Sequence, residues 1–269
     1  ESVGADIPVI VSGCMPARYG SDLEDSLAEV AAFVPCSKED DIVRIASDAL
    51  AARSLKDGRA SQIYASAPVM DTELDPVCDS RSFAYVKISD GCDRWCSYCT
   101  IPMIRGRYHS FTFDEIDANV SSYVESGKKE IVLIAQDTGR WGDDLDGDLS
   151  LAWLMATLAE KYQSTWFRVM YVQPEGITDE LLEVMAAHDN ICSYLDIPLQ
   201  HVDAEILKAM NRTGDKDAFI ALIDRIKQKL PDAHLRTTLI AGFPGESEEN
   251  FDSLKSFVEE GLFDYVGVF

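Results

Sequence analysis

Short apolar segments alternate with helical segments along residues 83–269, and this alternation is the feature that most restricts the possible fold. Strands that alternate with helices are typical of parallel βαβ units with right-handed crossovers. We therefore predict an α/β fold whose main part is a partial barrel, (β/α)6, with parallel strands. The predicted strands are residues 83–89, 130–135, 167–172, 193–197, 235–241 and 265–269, and the predicted helices are 113–126, 151–162, 179–187, 204–210, 218–230 and 248–260.

Residues 1–53 predict a fragment of a small α/β domain in front of the barrel. A strand at 7–12 precedes a capping-box pattern at Ser21-Asp-Leu-Glu24, which predicts a helix to about Phe33. A second helix is predicted at 39–52. Residues 54–82 have mixed composition and predict a linker with one short strand. Because the chain begins with Glu1 and ends inside the sixth barrel strand, we expect segments on both sides to be missing.

Three cysteines, Cys92, Cys96 and Cys99, follow the first predicted barrel strand as a Cys-x3-Cys-x2-Cys run. Three thiolates can ligate three irons of a four-iron cluster and leave the fourth iron open for chemistry. The alternative is a zinc site with His109 as its fourth ligand. The spacing, directly after the first strand of a barrel, resembles that of radical S-adenosylmethionine (SAM) enzymes, so we predict a cluster here.

Further candidate residues follow other predicted strands, whose carboxyl ends share one rim of a parallel barrel. Gln136 and Gln200 are suited to the amino acid or ribose part of SAM, or alternatively to hydrogen bonds with loop backbone. Tyr98 can pack on the adenine or simply shield the cluster from water. Arg212 can bind a carboxylate or form a surface ion pair. Gly242 permits a close backbone approach to the cofactor.

Four other cysteines lie outside the run, and His201 is a further residue of interest. Cys14 follows the first strand of the chain and could present a thiolate to a second metal centre. Cys36, Cys78 and Cys192 carry no motif and are interpreted as buried or incidental, although Cys36 and Cys78 could in principle join Cys14 at a site. His201 is expected to be structural, bonded to local backbone.

The net charge of −23 restricts the possible partners. Such an acidic chain repels phosphate backbones, so we expect no direct nucleic-acid binding, and it attracts a basic protein. The alternative is that the charge only aids solubility. No apolar run approaches the length of a membrane span, and no signal peptide is visible. With seven cysteines, an odd number, reduced thiols in the cytoplasm fit better than a disulfide framework.

Seven segments spread over nearly the whole chain form one recognisable pattern. They are Gly13-Cys-Met-Pro-Ala-Arg-Tyr-Gly20, Ile88-Ser-Asp-Gly-Cys-Asp-Arg-Trp-Cys-Ser-Tyr-Cys99, Ile101-Pro-Met-Ile-Arg-Gly106, Gln136-Asp-Thr138, Tyr194-Leu-Asp-Ile-Pro-Leu-Gln-His201, Met210-Asn-Arg-Thr213 and Thr238-Leu-Ile-Ala-Gly-Phe-Pro-Gly-Glu246. This pattern resembles the radical SAM methylthiotransferases. The resemblance implies an N-terminal domain with an auxiliary cluster, a radical SAM barrel and a C-terminal TRAM domain.

The same resemblance implies two [4Fe-4S] clusters and SAM as cofactors. Cys14 matches the third cysteine of the auxiliary cluster, whose first two ligands are expected upstream of Glu1, and the TRAM domain is expected beyond Phe269. Within the family, Gln136-Asp-Thr138 resembles the RimO-type branch, which methylthiolates the β-carbon of an aspartate in small-subunit ribosomal protein twelve. An electron donor of flavodoxin or ferredoxin type is implied. The alternatives are the MiaB-like branch, which modifies tRNA, and a non-catalytic metal-binding module on ribosomes.

Overall fold

The computed structural model describes residues 8–54 and 81–269. The chain divides into two compact units, one made of Glu1–Asp79 with Met103–Gly106 and the other of Ser80–Pro102 with Arg107–Phe269. Residues 55–80 of the predicted linker, with its predicted short strand and Cys78, lie outside the described residues. Each unit is therefore considered by itself below.

A parallel pair of strands forms the centre of the described part of the first unit. Its elements are β1 (Val9–Gly13), α1 (Cys14–Tyr19), α2 (Ser21–Ser26), β2 (Val30–Pro35), a 3-10 turn (Cys36–Asp41) and α3 (Ile42–Ser54). Gly13 lies opposite Pro35 in the register of β1 and β2. Val34 is fully buried, and Ile45 and Ala49 of α3 are each only 4% exposed. The apolar face of α3 thus contributes to the core of this unit.

The helix predicted from Ser21 to about Phe33 is wrong beyond Ser26. The Ser21 side chain forms no capping hydrogen bond, because the cap position is taken by Gly20, and α2 buries none of its residues. Burial of side chains therefore does little to stabilise a longer helix here. The apolar residues of Val30–Pro35 pair with β1 instead, and this strand pairing satisfies their backbone groups. The short helix α1 was not predicted either.

The second unit contains all six predicted barrel strands, with ends that differ from the predicted ones by up to three residues. Its strands are β3 (Phe83–Lys87), β4 (Ser89–Asp90), β5 (His109–Ser110), β6 (Glu130–Ile134), β7 (Trp166–Val169), β8 (Tyr194–Gln200), β9 (His234–Leu239) and β10 (Tyr265–Val268). They form two parallel sheets, in the orders β3-β6-β7 and β8-β9-β10, and a small antiparallel pair of β4 with β5.

Backbone hydrogen bonds join the two parallel sheets at β7 and β8. The Phe167 N–H donates to the Asn190 carbonyl at 2.8 Å, and the Cys192 N–H donates to the Phe167 carbonyl at 2.8 Å. Further along, the Val172 N–H donates to the Asp196 carbonyl at 3.1 Å. The six strands therefore follow one another in chain order, as an open parallel barrel requires, and the predicted partial barrel is confirmed.

Helices connect the strands and cover the outside of the barrel. They are α5 (Phe113–Glu125), α6 (Leu151–Lys161), α7 (Asp179–Ala187), α8 (Ala204–Ala209), α9 (Lys216–Lys229) and α10 (Glu248–Glu259). The short helix α4 (Ile101–Arg105) follows the cysteine loop, and its residues from Met103 onward belong to the first unit. In α6, a stripe of four side chains at helical spacing is at most 3% exposed: Leu151, Leu154, Met155 and Leu158. The capping box predicted at Thr112 and Glu115 is present at the start of α5. None of the helices in the described ranges is long and apolar enough to cross a lipid bilayer.

Candidate functional site: a thiol-lined cavity at the barrel rim

A cavity of about 310 Å³ lies within the second unit, where the barrel strands end. Its walls come from the cysteine loop after β3 and β4 and from the segments that follow β6, β7 and β8. The lining residues are Cys92, Arg94, Cys96, Tyr98, Cys99, Ile101, Ala135, Gln136, Tyr171, Gln173, Pro198, Gln200 and Arg212. The volume is at the lower end of the range for small-molecule sites, and the position is where parallel barrels bind substrates.

The three thiols of the predicted cluster line this cavity and are partly exposed. The Ile101 N–H donates to the Cys99 sulfur at 3.5 Å. Burial raises the pKa of Cys92, and the nearby backbone N–H of Arg94 opposes this effect. Within the described residues, no three His, Cys, Asp or Glu side chains converge closely enough to hold a single metal ion. His109, the alternative fourth ligand of a zinc site, is not among the residues that line the cavity, whereas a four-iron cluster only requires each thiol to reach a different iron.

The turn after α8 holds the cysteine loop in place. Asn211 Nδ2 donates to the carbonyls of Arg94 at 2.9 Å and Trp95 at 3.2 Å. The Ser97 N–H donates to the Met210 carbonyl at 3.1 Å. Both Trp95 (φ 52°) and Asn211 (φ 58°) adopt the left-handed conformation, which costs free energy for residues other than glycine. The loop geometry is therefore imposed by its surroundings, as is common at functional sites.

An ion pair ties the cysteine loop to the segment that follows β6. Arg94 Nε lies 2.5 Å from Asp137 Oδ2, and the side chain of Asp137 is completely buried. The neighbouring Thr138 hydroxyl lies 2.6 Å from the Met170 carbonyl and 2.8 Å from the Tyr171 carbonyl, so it can donate to either. The Gln-Asp-Thr segment thus connects the cysteine loop on one side with the segment after β7 on the other.

Two glycines allow the loops after β6 and β7 to touch. A Cβ atom on Gly139 would lie 2.8 Å from the Cα of Gly176, and a Cβ on Gly176 would lie equally close to the Cα of Gly139. Backbone atoms cannot move aside as a flexible side chain can, so neither position accepts a larger residue without displacing a loop. This contact fixes the separation of Gln136 and Gln173, which precede the two glycines in their loops.

Three buried polar atoms at this cavity have no hydrogen-bond partner among the described residues: Gln136 Oε1, Gln173 Oε1 and Arg212 Nε. Buried polar groups without a partner are rare and costly, and at a cavity they indicate a polar ligand. Arg212 also donates through Nη2 to the Pro198 carbonyl at 2.8 Å, which fixes its guanidinium. One cationic donor and two amide acceptors suit the carboxylate, amino and hydroxyl groups of SAM. Three thiols and these atoms therefore fit the expected cofactors.

Tyr98 belongs to the cysteine loop and lines the cavity together with Arg212. Burial raises its pKa well above the ordinary value, against the opposing charge of Arg212. Its side chain is still 39% exposed and lines the cavity. The ring is thus available for contact with a bound ligand.

The structure brings most of the predicted site residues together. Tyr98, Gln136, Gln200 and Arg212 all line the cavity with the three thiols, and Gln200 does so with a positive φ of 70°. Gly242 is not among the lining residues. Its positive φ of 77° and its N–H, which donates to Glu246, instead serve a turn after β9. The prediction that Gly242 approaches the cofactor therefore has no support in this geometry.

Cys14 and Cys36 belong to the first unit. Cys14 is exposed at the start of α1, and the buried Cys36 thiol donates to its sulfur at 3.9 Å. Burial raises the pKa of Cys36 to about 11. His201, in the second unit, is fully buried and accepts the Asp203 N–H at Nδ1 at 3.0 Å, which confirms the predicted structural role.

The sequence alone assigns no individual role to Gln173, Arg94 or Asp137. Gln173 does begin a segment that directly follows a predicted barrel strand, and this position already indicates the rim. Arg94 and Asp137 are 43 residues apart, and nothing local in the sequence indicates that they pair. The sequence did, however, place both beside residues that were selected.

A family model described as the radical SAM superfamily matches residues 86–258. Among curated proteins, "Ribosomal protein uS12 methylthiotransferase RimO" of Natranaerobius thermophilus is 42% identical over 264 residues, and that of Geobacter sulfurreducens is 41% identical over 265 residues. Both alignments cover 97% of this chain and 58% of the relative. The chain therefore spans somewhat more than half the length of the curated relatives that it matches.

Solved structures resemble the barrel at low sequence identity. The radical SAM methyltransferase TsrM from Kitasatospora setae, solved with cobalamin and a [4Fe-4S] cluster, has a TM-score of 0.58 at 15% identity and covers 69% of this chain and 34% of its own. The radical enzyme OxsB with SAM bound has a TM-score of 0.51 at 13% identity and covers 65% and 26%. These two likenesses support the fold, and the match over residues 86–258 shows that the chain belongs to the radical SAM superfamily.

Proposed function

We infer that this chain is the SAM-binding core of a methylthiotransferase that modifies an aspartate of small-subunit ribosomal protein twelve. Two relatives named for this activity are 42% and 41% identical to this chain, each over 97% of its length. Since the chain spans 58% of their length, the activity is proposed for the whole protein. The barrel described here supplies the cofactor site.

The observation that carries this proposal is the cavity with three thiols and three unpartnered polar atoms. When bound, a reduced [4Fe-4S] cluster and SAM supply a 5′-deoxyadenosyl radical, which can remove hydrogen from a carbon atom. The residues of the chain orient that cofactor. Arg212 Nε is a donor for the SAM carboxylate, whereas Gln136 Oε1 and Gln173 Oε1 are acceptors for its amino and hydroxyl groups.

The proposal gives Cys14 a separate role as one ligand of an auxiliary cluster, which holds the sulfur that is transferred. Its exposure at the start of α1 leaves the thiol accessible to such a group. The other ligands are expected in sequence beyond this chain. We further propose a cytoplasmic location and an electron donor of flavodoxin or ferredoxin type, because the cluster must be reduced for each cleavage of SAM.

The charge of the chain favours a protein substrate over tRNA. A net charge of −23 attracts a basic ribosomal protein, and it opposes the close approach of a polyanion. The SAM site itself does not distinguish these substrates, so the choice has to be tested directly.

The test uses the protein expressed from its full reading frame, purified without oxygen and reconstituted with iron and sulfide. With SAM and a reductant, it is incubated separately with ribosomal protein twelve and with unmodified tRNA. We expect one aspartate-containing peptide to gain the mass of a methylthio group in place of one hydrogen. The Cys96→Ala variant should form no 5′-deoxyadenosine, whereas Cys192→Ala, outside the cavity, should retain the activity.

Three results would contradict the proposal. Modification of tRNA alone would assign the MiaB-like activity. Cleavage of SAM that persists in Cys96→Ala would show that this loop does not hold the cluster. A protein that binds metal without cleaving SAM would point to a non-catalytic binding module.

A further inference from the structure

Arg94 lies in the cysteine loop, between two of the proposed cluster ligands, and forms a charged pair with Asp137 of the segment after β6. Arg94 follows Cys92 by two residues, and its guanidinium contacts Asp137 through Nε at 2.5 Å and through Nη2 at 3.4 Å. Asp137 is completely buried, and the Arg94 side chain is 23% exposed. This two-point contact fixes the orientation of the guanidinium plane as well as its position.

The same guanidinium is held by a second carboxylate. Arg94 Nη1 lies 3.1 Å from Glu175 Oε2, and Glu175 Oε1 accepts a hydrogen bond from the Thr213 hydroxyl at 2.9 Å. The Arg94 carbonyl accepts from Asn211 at 2.9 Å. Arg94 therefore connects the cysteine loop with the segments after β6 and β7 and with the turn after α8.

We propose that Arg94 and Asp137 are positioning residues for the cluster held by Cys92, Cys96 and Cys99, and that their opposite charges balance at that cluster. This inference rests on the proposed function through the cluster assignment. It adds that the Asp of the Gln-Asp-Thr segment acts on the cluster through Arg94 and does not contact the protein substrate.

Two physical effects connect the pair to the cluster. Arg94 lies two residues after Cys92 and lines the same cavity as the three thiols, and charge close to a cluster helps to set its reduction potential. The Arg94 guanidinium and the Asp137 carboxylate carry opposite charges, so their electrostatic effects on the cluster oppose each other. Because Asp137 is shielded from water, its field at the sulfur is weakly screened.

A role limited to holding the loop would not depend on charge balance. Reduction of the cluster adds one negative charge. Removal of the Asp137 charge leaves Arg94 less compensated and should favour the reduced cluster. Removal of the Arg94 charge leaves Asp137 uncompensated and should disfavour it. Removal of both charges restores neutrality, so the double variant should behave like the wild type.

The experiment measures the reduction potential of the reconstituted cluster by a redox titration followed by electron paramagnetic resonance, without SAM or substrate. Asp137→Asn should shift the potential to a less negative value, Arg94→Gln should shift it to a more negative value, and the double variant should lie between them near the wild type. Glu130→Gln is the matched control, because Glu130 pairs with Arg168 at 2.6 Å at the start of β6, away from the cavity. It should leave the potential unchanged.

Shifts of the same sign in both single variants, or no shift in either, would overturn the inference. The inference would also be overturned if both single variants lost iron and the double variant did not regain it. The pair would then serve only the fold of the loop. The potentials are read without methylthio transfer. A failure of this test therefore does not count against the proposed substrate, and the potentials can still be measured if methylthio transfer fails.

Discussion

The thiol of Cys36 lies 3.9 Å from the thiol of Cys14 in the first unit. One residue before each of them, Gly13 is paired with Pro35 in the parallel register of β1 and β2. The two cysteines therefore directly follow paired residues of adjacent parallel strands, and the short distance between their sulfurs makes them candidates for a disulfide.

We expect diamide, a two-electron thiol oxidant, to join Cys14 and Cys36 in the iron-free protein. Each thiol loses one hydrogen, the S–S bond forms, and the azo bond of diamide takes up both hydrogens. Peptide mapping should identify the cross-link between the two segments, and the oxidised protein should no longer offer Cys14 to iron. Cys36→Ser should abolish this cross-link, whereas Cys192→Ser should leave it intact. An oxidised wild type whose Cys14 and Cys36 both remain free would contradict this prediction.

The barrel could be predicted from the sequence because its strands are short apolar segments separated by amphipathic helices. β6, for example, buries Ile131, Val132 and Leu133 consecutively, which is typical of a strand covered on both faces. The sequence of Val30–Pro35 does not distinguish a strand from a helix in this way. Its apolar residues follow a capping pattern, and only the pairing with β1 decides that it is a strand.

The candidate site could be predicted where the spacing of residues in the sequence indicates their chemistry. The three cysteines and the residues directly after strands converge on one rim, because the topology of a parallel barrel brings those positions together. The support around them was not predictable. The contacts of Arg94 with Asp137 and of Gly139 with Gly176 join residues that are distant in sequence, and only the packed structure makes them neighbours.

Gln173→Met should separate stability from cofactor binding. Gln173 is buried, and its Oε1 has no partner among the described residues, so an apolar side chain of similar length removes an unsatisfied atom. Without SAM, we expect the free energy of unfolding to stay the same or to rise by up to about 1 kcal/mol, so the melting temperature should be unchanged or higher. The affinity for SAM, measured by equilibrium dialysis, should fall about fivefold to tenfold because one hydrogen bond is lost.

Gln228→Met is the control for this substitution. Gln228 is exposed on α9, so its replacement should change neither the melting temperature nor the affinity. A Gln173→Met protein that binds SAM as tightly as the wild type would remove Gln173 from the cofactor site.

Substitutions of Asn211 should report the cost of the left-handed turn that holds the cysteine loop. Asn211 has φ 58° and donates to the carbonyls of Arg94 and Trp95. Asn211→Gly keeps the backbone conformation accessible but loses both hydrogen bonds, which should lower the unfolding free energy by about 1–2 kcal/mol. Asn211→Ala adds backbone strain and should lose about 1 kcal/mol more. Urea denaturation that ranks Ala equal to or above Gly would show that the turn is not strained.

Asp196→Asn should increase stability at neutral pH. The Asp196 side chain is 1% exposed, and burial raises its pKa although Arg236 Nη1 lies 2.9 Å from its carboxylate. Since folding favours the protonated form, the stabilising contribution of this group is present below its unfolded pKa and is lost as the pH rises through the higher folded value. Ionised Asp196 is therefore unfavourable at pH 7. Asn removes the charge and keeps an acceptor for Arg236, which is 35% exposed and can remain hydrated.

Asp264→Asn is the control of opposite sign for this pH dependence. The Leu235 N–H donates to the Asp264 carboxylate and lowers its pKa, so this carboxylate stabilises the fold above its unfolded pKa and loses that effect as the pH falls through the lower folded value. In urea denaturation at pH 7, Asp196→Asn should be more stable than the wild type and Asp264→Asn less stable. At a pH below the unfolded pKa of an aspartate, both differences should shrink. A wild type that is more stable than Asp196→Asn at pH 7 would show that the pair with Arg236 outweighs the cost of burying the charge.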